Sequence, residues 1–202
     1  MMGNPFNKDS KNIMSKVPRG SVGAEIGVWM GSSSELFLKR NLKKFYMVDP
    51  WNVEGYRPAI DAKDDTFNYE QYLKKYSSLV GSSDPKDFQK HYDKVYKNVY
   101  EKFSKYPEVE IIRKNSTEWF NEFDIEKLDW IYIDGDHSYT GVINDLNNCL
   151  KVMKPGGIIL GDDYKWDRPG DKGGVKKAVN EFVKEKNLNL MKHGINQFSI
   201  QL

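Results

Sequence analysis

The 202-residue chain contains a single cysteine, Cys149, and no apolar run long enough to cross a bilayer. One cysteine excludes a disulfide framework within the chain and favours a reducing compartment. The start of the sequence has neither the apolar core of a secretory signal nor the serine or threonine that a myristoylation signal requires. We therefore expect a cytoplasmic protein without a membrane anchor.

An excess of charge of one sign is also lacking. Lysine and arginine number 31, and aspartate and glutamate 29, so the formal net charge is only +2. No broad electric field would attract nucleic acid or an anionic membrane, and we expect neither as a partner. Hydrophobic residues (39%) and charged residues (30%) are in the range of ordinary globular proteins. The length predicts one domain spanning residues 1–202.

Apolar runs and amphipathic stretches alternate along the chain. The apolar runs predict strands at Val22–Val28, Lys44–Asp49, Val109–Arg113, Leu128–Asp134 and Gly157–Gly161. Helical spacing is found at Ser34–Asn41, Ser138–Met153 and Gly174–Asn187, and a final hairpin is predicted at Leu188–Met191 and Gln197–Leu202. This order is typical of a mostly parallel sheet with helices on both faces.

Residues 52–107 interrupt the alternation with a segment rich in tyrosine. Two series of tyrosines have helical spacing: Tyr69, Tyr72, Tyr76 and Tyr92, Tyr96, Tyr100. Gly81–Pro85 is typical of a turn between two helices. These helices either pack on the sheet or form a lid over a substrate. The turn-rich stretch Trp166–Gly174 is likewise either a loop that gates a site or a plain connection.

Acidic residues lie at or near the ends of several predicted strands or in the loop that follows: Glu25, Asp49, Asp134, Asp162 and Asp163. The carboxyl ends of parallel strands meet at one edge of a sheet, where such folds bind ligands. The dinucleotide fingerprint G-x-G-x-x-G is missing after the first strand. The loop there is the wider E-x-G-x-x-x-G, running from Glu25 to Gly31.

These motifs resemble class I S-adenosylmethionine (SAM)-dependent methyltransferases. Asp134–Tyr139 (DGDHSY), followed by KPGG and by Gly161–Tyr164 (GDDY), is similar to the group of macrocin O-methyltransferase and related sugar O-methyltransferases. The resemblance implies a seven-stranded, mostly parallel Rossmann-like sheet with helices on both faces and an antiparallel C-terminal hairpin. It implies methyl transfer from SAM to a hydroxyl of a small molecule, such as a sugar or a glycosylated metabolite, assisted by Mg²⁺.

The resemblance also implies a role for individual residues. The SAM site would be formed by Glu25, Gly27, Trp29, Gly31, Ser33, Asp49, Ser116 and Asp134. Asp49 matches the acid that binds the ribose, and it follows Gly27 by 22 residues, close to the spacing of about 20 found in such units. The magnesium ligands would be Asp134, Asp162 and Asp163. Asp136 matches the general base, and His137 is an alternative base because a nearby dication weakens a carboxylate as a base.

Other interpretations of the same residues remain open. Aspartates at strand ends often cap the next helix, and Asp162–Asp163 is also compatible with an ordinary turn. The catechol-type enzymes carry a lysine where this chain has Asp136–Ser138, which disfavours a catechol substrate. A NAD-type oxidoreductase and a non-catalytic nucleotide-binding protein of the same fold are the competing functions. Sugar methyltransferases of this type often assemble through inserted helices, so a homo-oligomer is compatible with the resemblance.

Overall fold

The computed structural model describes residues 13–53, 69–124, 126–165 and 173–202. Two parts of the predicted segments lie outside the described residues: 54–68, near the start of the tyrosine-rich segment, and 166–172 of the stretch Trp166–Gly174. The prediction made for Trp166–Gly174 therefore also lies outside them. The strands are β1 Val22–Ile26, β2 Lys44–Val48, β3 Val109–Ile112, β4 Leu128–Ile133, β5 Met153–Gly161, β6 Asn189–His193 and β7 Gln197–Gln201. The helices are α1 Ser34–Leu38, α2 Tyr69–Val80, α3 Pro85–Phe103, α4 Ser116–Glu122, α5 Tyr139–Val152 and α6 Gly174–Glu185.

The strands form one seven-stranded sheet in the order β3-β2-β1-β4-β5-β7-β6. The pairs among β1 to β5 are parallel, whereas β7 runs antiparallel to both β5 and β6. The predicted fold class is therefore confirmed: a mostly parallel sheet ends in an antiparallel pair. This topology brings the carboxyl ends of β1, β2 and β4 together at one edge of the sheet.

Apolar side chains cover both faces of the sheet. Neighbouring residues of a strand point to opposite faces, and in β4 Ile131 belongs to one buried cluster while Trp130 belongs to the other. The first cluster includes Leu146 of α5 and Phe182 of α6. The second includes Phe88 of α3. The helices thus lie on both faces, as the alternation of elements predicts.

The two helices predicted in the tyrosine-rich segment are α2 and α3. Helix α3 begins after Asp84, whose carboxylate accepts the N–H of Lys86 at 2.8 Å. Its buried residues recur with helical spacing: Phe88, Tyr92, Val95, Val99 and Phe103. Because they belong to the second cluster, α3 packs on the sheet, as one of the two interpretations of this segment proposed. Within the described residues, no helix combines the length and the apolar character needed to cross a bilayer.

Several predicted boundaries were wrong, each for a local reason. β1 ends at Ile26 instead of Val28 because Gly27 takes a left-handed backbone, with φ of +89°. α1 ends at Leu38, and Asn41, predicted as its last residue, has φ of +52°. β5 begins at Met153 instead of Gly157, since Met153 already pairs with Leu128 of β4. Helix α4 was not predicted at all.

Candidate functional site

The turn after β1 lies directly against the end of β4. A Cβ atom added to Gly27 would stand 2.1 Å from the carbonyl oxygen of Asp134. The N–H of Gly27 donates to the carbonyl of Val48 at 2.9 Å, so the turn also joins the end of β2. Glycine is therefore required here by the protein backbone itself, whether or not a ligand approaches.

The side chain of Glu25 binds the residues that follow this turn. Its side chain is fully buried, and its two carboxyl oxygens accept hydrogen bonds from the hydroxyls of Ser33 and Ser34. Burial, with smaller effects from the charges of Asp134 and Asp49, raises the pKa of Glu25 to about 8. Glu25 thus fixes the residues that begin α1. Ser33, predicted to hold the methionine carboxylate of SAM, donates its hydroxyl to Glu25.

Asp49 holds the backbones of two tryptophans at the end of β2. Its carboxylate accepts the N–H of Trp29 at 2.8 Å and the N–H of Trp51 at 2.8 Å. The indole N–H of Trp51 donates to the carbonyl of Trp29 at 2.9 Å. The structure places Asp49 at the carboxyl edge, as predicted. It also gives Asp49 a structural task, because both tryptophans have positive φ values, 50° and 40°.

Helix α3 closes the side of the glycine turn. The ring of Trp29 meets the ring of Tyr92 edge-on, with 5.8 Å between the centroids, and lies 6.1 Å from His91. A Cβ atom added to Gly31 would come within 2.4 Å of the Phe103 ring. The tyrosine-rich segment therefore borders the predicted SAM site.

A second group of side chains lies at the ends of β4 and β5. Nε2 of His137 is 3.4 Å from the Asp134 carboxylate and 3.2 Å from that of Asp163. One ligand atom from each of the three residues lies within 4.8 Å of the other two. We call Asp134, His137 and Asp163 the edge cluster.

The charges within the edge cluster shift its titration. Burial is the main reason that the pKa of Asp134 rises to about 6, although the hydrogen bond and charge of His137 act in the opposite direction. Burial alone would lower the pKa of His137, but the hydrogen bond to Asp134 and the surrounding carboxylates outweigh it and raise that pKa. The cluster thus concentrates negative charge around one imidazole in a partly buried place.

Asp162 and Asp136, both predicted in the site, are directed to other partners. Asp162 accepts the hydroxyl of Tyr132 at 2.8 Å and the side-chain amide of Gln197 at 3.2 Å. Asp136 accepts the N–H and the hydroxyl of Ser138 at 2.8 and 2.9 Å, and Ser138 is the N-cap of α5. Asp136 therefore holds the residue that caps α5.

Ser116 is the first residue of α4, which follows β3. Its hydroxyl bonds to Asp145 of α5, a carboxyl that is only 2% exposed. Burial, partly offset by this hydrogen bond, raises the pKa of Asp145 to about 7. The structure thus places Ser116 after β3, as predicted, and ties it to an acid that the sequence analysis missed.

Comparison with known proteins now identifies the family. The family model described as Methyltransferase domain matches residues 24–164, which run from β1 past the edge cluster. The chain belongs to the methyltransferase-domain family. The expected enzyme class, a SAM-dependent methyltransferase, agrees with this assignment, whereas the macrocin group is a finer assignment that the match does not make.

Individual relatives of this methyltransferase-domain chain are distant. An uncharacterized protein of Acanthamoeba polyphaga mimivirus is 26% identical over 187 residues, or 90% of this chain. The chain spans 63% of the length of that relative.

Solved structures share its fold. The O-methyltransferase NovP superposes with a TM-score of 0.59 at 19% identity, covering 95% of this chain and 78% of that one. The N-methyltransferase NodS from Bradyrhizobium japonicum gives a TM-score of 0.60 at 13% identity, covering 100% and 97%. An O-methyltransferase from Bacillus cereus, solved with SAH, gives 0.57 at 13% identity, covering 100% and 84%.

The donor set of the edge cluster fits a divalent cation. Two carboxylates supply the oxygen ligands that Mg²⁺ prefers. The imidazole adds a nitrogen that also suits transition metals. The side chains of Asp134, His137 and Asp163 are 22%, 27% and 18% exposed, so they are held in place yet remain open on one side.

A separate cavity of about 310 Å³ lies at the opposite edge of the sheet, next to the start of β4. Its main charged groups already have partners. Asp129 accepts one hydrogen bond from the ammonium of Lys154 and another from the N–H of Val22, each at 2.7 Å. This cavity is therefore not part of the site at the carboxyl edge.

Sequence reasoning missed the residues that reach the site through tertiary contacts. Ser34 had a local signal, since it adjoins Ser33 and begins α1. Tyr132, Asp145 and Gln197 had none, because their partners lie far away in the chain: Asp162 is separated from Gln197 by 35 residues and from Tyr132 by 30.

Proposed function

We propose that this methyltransferase-domain protein transfers the methyl group of SAM to a hydroxyl of a small molecule, with a divalent cation, Mg²⁺ first, beside the acceptor. The observation that carries the proposal is the contact between the Gly27 turn and Asp134, which puts the edge cluster next to the turn after β1. We take a sugar or a glycosylated metabolite as the acceptor, by resemblance to the macrocin group, and the cytoplasm as the place of action.

Methyl transfer from a sulfonium is an in-line displacement, so the protein mainly has to position the two reactants. The turn from Gly27 to Gly31 would face the methionine end of SAM, Asp49 the ribose and Ser116 the adenine. A cation held by Asp134 and Asp163 lowers the pKa of an acceptor hydroxyl when it is bound. The packing of Trp29 against α3 keeps the turn in its conformation before any ligand arrives.

His137 is the general base in this proposal. Its imidazole lies within the edge cluster, whereas both carboxylate contacts of Asp136 described above go to Ser138. An imidazole changes its charge near neutral pH, which suits a group that accepts a proton from the acceptor hydroxyl. Asp136 then orients the start of α5, which keeps His137 in place.

Calorimetric titration with SAM and with NAD tests the class of cofactor. We expect SAM to bind and NAD to give no heat, since the fingerprint for a dinucleotide is missing. Binding of NAD without binding of SAM would favour the oxidoreductase. Binding of SAM without transfer to any acceptor in a panel of sugars and glycosides would favour the non-catalytic alternative.

Replacement of one carboxylate tests the role of the cation. We expect Asp163→Asn to abolish Mg²⁺-dependent transfer of a labelled methyl group while the Kd for SAM stays nearly unchanged. Asp124→Asn is the matched control, because Asp124 is exposed and precedes β4, at the opposite edge of the sheet. Full activity of the wild type in EDTA would show that the cation is not required.

A pair of substitutions tests the base. We expect His137→Gln to lower kcat by about 10²- to 10⁴-fold, the usual contribution of a general base. Asp136→Asn retains the acceptor oxygen for the N–H of Ser138 and should keep most of the activity. The opposite order of the two variants would assign the base to Asp136.

A further inference from the structure

Trp51, two residues after Asp49, is held by hydrogen bonds on several sides. It is fully buried, although its backbone has the uncommon positive φ of 40°. Its N–H donates to Asp49, and its indole N–H donates to the carbonyl of Trp29. Its own carbonyl accepts Nη2 of Arg113 at 2.6 Å and, more weakly, Nε2 of Gln89 at 3.5 Å. These last two donors belong to other elements, so they fix the turn from outside.

Arg113 lies at the same edge of the sheet as Asp49. It directly follows Ile112, the last residue of β3. β3 pairs in parallel with β2, and the N–H of Asp49 donates to the carbonyl of Ile112 at 3.1 Å. The junction of these two strands therefore carries both the acid that the proposed function assigns to ribose and the arginine that binds the carbonyl of Trp51.

Helix α3 holds the guanidinium group of Arg113. Asp93 accepts a hydrogen bond from Nη2 of Arg113, and it also accepts Nε2 of Gln89 at 3.0 Å. The hydrogen bond from Arg113 is the main reason that the pKa of Asp93 lies below its usual value. The guanidinium carbon lies 4.7 Å from the centroid of the Tyr96 ring, which also packs against Trp51. We call Gln89, Asp93 and Arg113 the clamp.

Gln89 extends the clamp to Val53. Its Oε1 accepts the N–H of Val53 at 3.2 Å, while its Nε2 faces the Asp93 carboxylate and the carbonyl of Trp51. Reversing this amide would place its oxygen against two acceptors and its NH₂ group against a donor, so one orientation is strongly preferred. The clamp thus joins α3 and the end of β3 to the chain that follows Asp49.

The arrangement uses features that are specific to arginine. Nη2 carries two hydrogens, one for the carbonyl of Trp51 and one for Asp93, and the flat guanidinium lies over the ring of Tyr96. The side chains of Arg113 and Asp93 are 32% and 51% exposed, and an ion pair as exposed as this contributes little to the free energy of unfolding. An effect of the clamp on the site is therefore separable from an effect on stability.

We propose that Arg113 is a positioning residue of the cofactor site. By holding the carbonyl of Trp51, it keeps the N–H of Trp51 on Asp49 and so fixes the direction of the carboxylate that binds ribose. This inference rests on the proposed function, in which SAM binds with its ribose at Asp49. It adds that α3, in the tyrosine-rich segment, sets the affinity for the cofactor through the clamp.

Calorimetric titration of the full chain with two ligands tests this role. The ligands are S-adenosylhomocysteine (SAH) and its 2′,3′-dideoxy analogue, which lacks both ribose hydroxyls. We expect the wild type to prefer SAH by at least about tenfold, the lower end for a hydrogen bond to a charged group. Arg113→Met should weaken the binding of SAH by about three- to tenfold and leave the Kd of the analogue nearly unchanged. Equal weakening of both ligands, or an unchanged Kd for SAH, would overturn the inference.

Lys114→Met is the matched control, because it removes the same charge one residue further on. The ammonium of Lys114 pairs with Glu122 and not with α3. We expect wild-type Kd values for both ligands. A loss of SAH affinity as large as that of Arg113→Met would assign the effect to charge alone and overturn the inference.

Asp93→Ala is a second variant, which decides the question if Arg113→Met does not fold. Asp93 is half exposed on α3, so the urea midpoint should change little. The preference for SAH over the analogue should fall by a smaller factor than in Arg113→Met, since Arg113 can still reach the carbonyl of Trp51. A preference equal to that of the wild type would refute the contribution of α3.

Failure of the proposed function gives a different pattern. A wild-type chain that binds neither ligand would refute the SAM site. A wild-type chain that binds both ligands equally would refute the contact between Asp49 and ribose. A wild-type chain that prefers SAH keeps this part of the proposed function, and the variants then decide on Arg113 alone.

Discussion

Among single residues, left-handed backbone conformations are concentrated around the site. Trp29, Trp51 and Asp163 have φ values of 50°, 40° and 56° although none is a glycine. Such conformations persist only where the surroundings hold them. Here each of the three N–H groups donates to a buried or partly buried carboxylate, that of Asp49 or Asp162. Two acids of the predicted site therefore maintain strained turns, whatever they bind in addition.

The pKa of Glu25 predicts a dependence of stability on pH. Because it is raised from 4.5 to about 8, the native protein keeps a proton that the unfolded chain releases between these two values. The free energy of unfolding should therefore fall as the pH rises through this range, by up to about 1.4 kcal/mol per pH unit for this group. Urea unfolding at several pH values measures the slope.

Glu25→Gln is the control for that slope. Glutamine can still bond to Ser33 and Ser34 but does not titrate. We expect the variant to show a shallower decline between pH 5 and 8, with a remainder due to Asp134 and Asp145, whose pKa values are also raised. An unchanged slope would mean that Glu25 does not titrate as described.

Alanine substitutions at two glycines with similar backbone conformations distinguish the cost of backbone strain from the cost of steric overlap. Gly27 and Gly81 have φ values of 89° and 82°, but a Cβ atom at Gly81 meets nothing within 4 Å. Gly81→Ala should cost about 1–2 kcal/mol from the backbone alone. Gly27→Ala adds the overlap with Asp134 and should cost about 2–5 kcal/mol in total. Equal midpoints in urea would contradict the close contact between the turn and β4.

Among the elements, α4 shows how a short helix escapes prediction. It has only seven residues, and its two buried residues, Trp119 and Phe120, are adjacent, so no helical period is visible. The usable signal was local: Asn115 and Glu118 form a capping box, each accepting the backbone N–H of the other. A search for N-caps before apolar pairs would have found the helix that carries Ser116.

The capping box predicts a measurable contribution to stability. Asn115→Ala removes the acceptor of the Glu118 N–H and should cost about 1 kcal/mol in the free energy of unfolding. Asn121→Ala is the matched control, since Asn121 is an exposed residue within the same helix, where alanine is slightly favourable. In thermal unfolding, we therefore expect Asn115→Ala to lower the stability and Asn121→Ala to raise it slightly. A loss of stability of equal size in both variants would argue against the cap.

The sequence predicted β1, β2, β4 and β5 because each contains an apolar run followed by a glycine or an acid. The rule that parallel strands end at one edge placed Asp134 and Asp163 in one predicted site, and His137 was added as an alternative to Asp136 as the base. It did not reveal that Asp162 faces Tyr132 and Gln197, since side-chain direction within a turn depends on the backbone of Asp163. The link from Ser116 to Asp145 escaped because it joins two helices that are separate in the sequence.

At the scale of the whole molecule, the sheet separates two apolar clusters, and the site lies at the edge where both end. Cluster residues from α3 lie on one face, and those from α5 and α6 on the other. The site is thus assembled from segments that are brought together only in the folded chain. A ligand that binds there should stabilise the entire fold and not a single helix.

We therefore expect SAM to raise the melting temperature of the whole domain. At a concentration 100 times its Kd, a ligand of the native state adds about 2.7 kcal/mol. For a chain of this size, that corresponds to about 5–11 °C. Differential scanning calorimetry with SAM, and with NAD as the control, measures the shift, and an equal shift with both compounds would contradict selective binding of SAM.

The near-contact between Gly27 and the Asp134 carbonyl has a thermodynamic consequence. In the proposed function, SAM would bind at the turn and the cation at Asp134, on the two sides of this contact. We therefore expect the affinity for one ligand to depend on whether the other is bound. Linkage then demands reciprocity, so whatever factor the metal ion contributes to the affinity for the nucleoside, the nucleoside must return to the metal ion.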